Sequence, residues 1–202
     1  MITKTLKYFL MLLLITAVGM SCGEKKPETE GESESTEESS GDEPASTSIA
    51  SPRQTASGEI GGAKITVDYG SPAVKGREIW GGLEAYGKVW RAGANETTSV
   101  EFSKGVQVGE TEVPAGKYGF YLIPNEGKPW IAIFNTDWNR DEHGAWGAYN
   151  YNKDNDVARL EIEPDWLEEV TERLKYTVGS DRISLNWEKV QINIPVAGIA
   201  AE

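Results

Sequence analysis

The sequence contains a single cysteine, Cys22, and a single histidine, His143. One thiol excludes an intrachain disulfide framework and any zinc site built on several thiolates, and one imidazole excludes every multi-histidine metal site. Basic charge is scarce: 20 Lys and Arg stand against 32 Asp and Glu, a formal charge of −12. A general nucleic-acid binder needs a net basic face to displace counterions from phosphates, so nucleic acid is not an expected partner. The catalytic fingerprints G-x-S-x-G, Walker A and G-x-G-x-x-G do not occur. Asp137-Trp-Asn139-Arg-Asp141 has oxygen ligands at alternate positions, but Glu142 and Ala148 stand where a calcium loop of the EF-hand kind needs Gly and a closing Glu, so no cofactor or metal is expected. Long apolar stretches are also lacking. The one candidate, Tyr8 to Gly19, spans about 18 Å as a helix, against a hydrocarbon core of about 30 Å.

What is present divides into three zones of different charge. Residues 1–21 carry Lys4 and Lys7 and no acid. A basic start, the short apolar run and then Gly19-Met20-Ser21-Cys22-Gly23 follow the order of an export signal ending in a bacterial lipobox, with Gly19 where leucine is usual. Residues 1–21 therefore read as a lipoprotein signal peptide and Cys22 as the lipidation site. The mature chain is expected at the bacterial cell envelope, on the periplasmic or cell-surface side, with the membrane as a partner through lipidated Cys22. Residues 22–50 hold nine acids against Lys25 and Lys26 and no aromatic residue. Such a segment cannot bury enough apolar area to offset its ordering entropy, and it reads as an acidic, disordered tether. Residues 51–202 contain all seven tryptophans and form one domain of ordinary size.

Within that domain short period-2 runs dominate. Ile65, Val67 and Tyr69 alternate with polar neighbours, as do Val100 and Phe102, Val106 and Val108, and Tyr118, Phe120 and Leu122. Leu160 and Ile162, Leu174, Tyr176 and Val178, Ile183, Leu185 and Trp187, and Val190, Ile192 and Ile194 repeat the pattern. Trp130 to Phe134 is nearly all apolar, as expected of a strand covered on both faces. Turn signals separate many of these runs, and only Leu83–Val89 and Asp165–Val170 offer short helices. The expectation is an all-β domain: an antiparallel β-sandwich, with a jelly-roll arrangement in view and one or two short helices.

Several strings then coincide: Val67-Asp-Tyr-Gly-Ser-Pro72, Val74-Lys-Gly-Arg77, Trp80-Gly-Gly-Leu83, Tyr86-Gly-Lys-Val-Trp-Arg-Ala-Gly-Ala-Asn-Glu96, Pro114-Ala-Gly-Lys-Tyr118 and Trp146-Gly-Ala-Tyr-Asn-Tyr151. Together they resemble the domain-of-unknown-function 2911 (DUF2911) family, common among lipoproteins of Bacteroidetes-type bacteria, over roughly residues 51–195. The resemblance implies a compact, β-rich extracytoplasmic domain and supplies no catalytic residue.

Two features point to binding. Residues 51–95 are net basic inside an acidic domain, with six bases against four acids. Arginine's planar fork suits carboxylate or phosphate, and glycines around it permit close backbone approach. Tryptophans and tyrosines also fall in the polar stretch Asn135 to Asn155, where flat faces can stack on rings. The leading expectation is therefore a binding module for a small anionic molecule or glycan. Lys75, Arg77, Trp90, Arg91, Asn95 and Glu96 would meet Trp146, Tyr149 and Tyr151. Each arginine could instead pin a loop through an ion pair, and the aromatics could tuck their loop onto the sandwich. Alternative roles are a structural or assembly protein of the envelope, with an envelope protein as partner, and a carboxylate-dependent hydrolase. Catalysis is the less favoured expectation, since His143 lies in a polar loop with no nucleophile motif.

Overall fold

The computed structural model describes residues 50–199. The expected signal peptide, Cys22 and all but the last residue of the expected tether lie outside the described residues. Ten strands run in chain order: β1 Arg53–Ile60, β2 Ala63–Gly70, β3 Thr98–Phe102, β4 Val106–Val108, β5 Thr111–Val113, β6 Gly116–Ile123, β7 Trp130–Asn135, β8 Asp156–Ile162, β9 Asp165–Val178 and β10 Arg182–Gly198. A one-turn helix, α1 Arg140–His143, and a 3₁₀ turn, Lys153–Asn155, interrupt them. Six strands form one sheet in the order β1-β2-β3-β6-β7-β8, and four form another in the order β5-β4-β10-β9. Every strand pair is antiparallel. The domain is an all-β sandwich.

Period-2 alternation builds the core. Ile65, Val67, Val100, Phe102, Tyr118, Phe120 and Leu122 project from the larger sheet and are buried against Ile183, Leu185, Trp187, Ile192 and Ile194 of β10. The β10 segment was expected as two runs and is one long strand. It bends at Glu188, whose φ of 54° is a left-handed value that marks a bulge.

Both short helices expected from the sequence are absent. Leu83–Val89 is a series of turns tied back on itself, with Leu83 N–H donating to Glu78 O and Glu84 N–H to Ile79 O. Asp165–Val170 opens β9, because Asp165 and Trp166 pair with Gln191 and Val190. Six residues cannot nucleate a helix against a strand partner already in reach. The helices that do form lie in the polar stretch, where Asn139 and Asn152 supply N-caps. β1 escapes a periodicity reading since it is an edge strand whose only apolar side chains are the small Ala56 and the bulky Ile60.

The larger sheet has a second face. Opposite the core side, Tyr121 and Ile133 sit side by side in register and are fully buried. The connection between β7 and β8, residues 136–155, lies over them. That covered outer face positions the candidate site.

Candidate ligand-binding cleft

The 136–155 loop is polar in sequence because it is held by polar ties rather than by a core. Asn135, fully buried, donates to Asn152 O at 2.8 Å and to Asp156 Oδ1 at 2.7 Å, and its Oδ1 accepts the Asp137 N–H at 2.8 Å. Asn155 Nδ2 donates to Asp137 Oδ2 at 2.7 Å. Asn139 caps α1 by accepting the Glu142 N–H at 2.7 Å. His143 Nδ1 accepts the N–H groups of Trp138 and Asn139 at 3.3 and 3.4 Å, so the imidazole closes a turn. Two glycines let the loop approach. A Cβ on Gly119 would lie 2.5 Å from Asp137 O, and one on Gly147 would lie 2.8 Å from Arg91 Cδ. Thr97 Oγ1 donates to Gly147 O at 3.0 Å and pins the far end.

Between this loop and the sheet lies a cleft of about 360 Å³, lined by residues from both. Arg53, Thr97, Ser99 and Lys117 contribute from the sheet side, and Trp138, Asn139, Arg140, Ala145 and Trp146 from the loop, with Glu96 at the rim. Arg53 donates to Thr97 O at 3.4 Å and Asp68 O at 3.2 Å, and its guanidinium is 3.8 Å from Glu96. Lys117 Nζ is 3.7 Å from Asp68 Oδ2 and 4.3 Å from the centre of the Trp138 ring. Arg140 Cζ stands 5.6 Å from the centre of the Trp146 ring. Each indole thus has a cation on one face, a contact worth about 0.5–1 kcal/mol at exposed positions.

The residues expected from sequence divide. Glu96 and Trp146 line the cleft, Trp146 being 39% exposed. Arg91 and Asn95 reach the same loop junction, where Arg91 Cδ and Asn95 O press on Gly147. Asn95 Nδ2 is spent on Ser51 O at 3.3 Å. The meeting of the Arg91–Glu96 segment with Trp146 is therefore present, but the other residues separate. Trp90 is a correction: it is 3% exposed, stacked at 5.6 Å on Trp187, and its indole N–H donates to Gly93 O. Nothing outside the core can stack on it. Arg77 is turned back on its own loop, donating to Val74 O at 3.0 Å and Ala73 O at 2.5 Å. The Lys75 N–H is bound by Glu172 Oε1 at 3.0 Å, which ties that loop to β9. Neither side chain lines the cleft. Tyr151 packs edge-on against Tyr121 at 5.2 Å, donates to Asp156 Oδ2 at 2.7 Å and accepts from Arg159 at 2.9 Å. Burial, and then the bond to Asp156, raises its phenol well above the usual range. Tyr149 is 76% exposed and lies outside the lining.

Sequence reasoning missed Arg53, Lys117 and Arg140 as site cations. Strand alternation does put Lys117 on the face opposite Tyr118 and Phe120, but nothing local says that a loop covers that face. It also missed Glu84, whose carboxyl is raised to about 7 by burial, offset by the nearby Arg91 and Arg77.

The family described as protein of unknown function DUF2911 matches residues 51–196. The chain belongs to the DUF2911 family. No curated protein and no solved structure matches it. Membership accounts for the extent of the sandwich and leaves its chemistry to be read from the cleft.

Proposed function

We propose that the chain is a lipid-anchored, extracytoplasmic binding module whose cleft takes a small anionic molecule. One observation carries the reading: Arg53, Lys117 and Arg140 border a single cleft whose lining has one carboxylate, Glu96. This happens on a domain with 23 acids and 16 bases, so the cleft runs against the overall charge. Arg53 and Lys117 have acid neighbours, whereas Arg140 has no ion pair among the described residues. An arriving carboxylate or phosphate would meet the Arg140 fork, with Asn139 and Ser99 as further polar neighbours.

The indoles favour an anion over a neutral glycan. Their cation-capped faces would have to be uncovered before a sugar ring could stack there, while an anion gains from the same cations. A neutral sugar is thus the weaker form of the ligand proposal. Hydrolysis by a carboxylate pair needs two acids about 5–9 Å apart, and the lining supplies one. The anchor would be a lipid on Cys22, in keeping with its position after the apolar run.

Calorimetric titration with glucuronate, glucose and inorganic phosphate tests the reading. An anion should bind and glucose should bind at least about tenfold more weakly, a difference of about 1.4 kcal/mol. Arg140→Ala and Trp146→Ala should weaken the anion, and Lys75→Ala and Arg77→Ala should not. Failure of these and other small anions to bind at millimolar concentration refutes it. For the anchor, Cys22→Ala should move the protein from the membrane to the soluble fraction.

A further inference from the structure

A second surface, distinct from the cleft, lies at the start of β9. Among the described residues, seven large apolar side chains are exposed, and three of them fall within five positions: Trp166 at 57%, Leu167 at 36% and Val170 at 51%. β9 is an edge strand of the smaller sheet. Its later part is covered on the outer side, where the Val74 N–H donates to Glu172 O and the Leu174 N–H to Pro72 O. Its first part meets β10 only at Asp165, Trp166 and Thr171, so Leu167–Val170 arches away from the ladder. Beside Trp166 is a depression of about 220 Å³, bordered by Glu78, Trp80, Tyr86 and Glu188 and by Arg77, whose guanidinium is already engaged with carbonyls.

Bulges and charges are ordinary protection for a sheet edge. Protection does not require Trp, Leu and Val in water at the same edge, and that combination calls for a covering partner. Charge selects among the partners. Glu161 to Glu172 holds six acids and no base, with Glu78 and Glu188 beside it. A second copy seated here would set these acids against their own kind, and an anionic lipid surface would repel them equally. We infer that this face docks a cationic, extended segment of another protein. An apolar side chain of that segment would enter the depression against Trp166 and Tyr86, and its Lys or Arg side chains would face Glu168, Glu169 and Glu188.

Three synthetic dodecapeptides titrated into the full chain test this: one alternating Lys with Val, one alternating Lys with Ser, and one alternating Glu with Val. The Lys-Val peptide should bind, weakening as salt rises. Trp166→Ser with Val170→Ser, and separately Glu168→Lys with Glu169→Lys, should each lower its affinity at least about tenfold. All four positions are exposed, so unchanged thermal melting should accompany the loss. The cleft variant Arg140→Ala should bind the peptide as wild type does. Equal binding of the Lys-Ser peptide, or wild-type affinity in either double variant, overturns the proposal. So does a concentration-dependent dimer in sedimentation that Trp166→Ser abolishes, which would give the face to a second copy.

Discussion

Six of the seven tryptophans fall into two groups that differ in everything but chemistry. Trp80, Trp90, Trp130 and Trp187 pack on one another with ring centres 4.7 to 5.6 Å apart, all inside the sandwich. Trp138 and Trp146 lie on the outer face of the larger sheet, each against a cation. In the inner group the rings are worth what they exclude from water, plus edge-to-face contact. In the outer group each ring lies against a cation, Lys117 or Arg140, and all four residues line a solvent-reachable cleft. The lesson is that an indole's role follows from the side of the sheet it meets, and that Trp90 and Trp146, one residue type in neighbouring loops, serve opposite ends.

The contrast breaks most visibly in the core. Trp187→Ala should cost about 3–5 kcal/mol in chemical denaturation, since removing a fully buried ring leaves a cavity beside Trp80 and Trp90. Trp187→Phe should cost clearly less, because the Trp187 indole N–H has no partner among the described residues and the substitution removes that unsatisfied buried donor. Next in size is Glu84→Gln. The folded-state carboxyl binds its proton up to about 7, against 4.5 unfolded. The folded form therefore holds the extra proton, and the wild type loses stability as pH rises from about 4.5 to 7. The variant should lose that slope and be more stable than wild type at pH 8 by about 1–2 kcal/mol, allowing for partial solvent screening. On the outer face the stability effects should shrink while function responds. Trp146→Ala should change stability by less than about 0.5 kcal/mol yet weaken anion binding in the titration above. The most local effect comes from His143→Ala, which removes the acceptor for two N–H groups. Hydrogen exchange should speed up in residues 138–145, with the core strands unchanged and a global cost of less than about 1 kcal/mol.

Legibility from sequence followed the range of the interactions involved. The strands with Ile65, Phe120 or Ile192 could be read because alternation is local and one face must be buried. The polar stretch from Asn135 to Asn155 could be read as unusual, with its aromatics, but its ties to Tyr121 and Gly119 join residues far apart in sequence. Arg77 and Arg91 looked like partners in one basic segment. Arg77 is turned onto the Val74 and Ala73 carbonyls of its own loop, while Arg91 packs against Gly147.

Periodicity alone was enough to specify an all-β sandwich and the alternating core positions of most of its strands. Burial of alternate side chains is dictated residue by residue along the strand. Which outward-facing side chains share a cleft was decided in three dimensions. Arg53, Lys117 and Arg140 border one cleft only after four strands, β1, β2, β3 and β6, have paired in register and a loop has folded over their outer face, and no local pattern encodes a meeting of that kind.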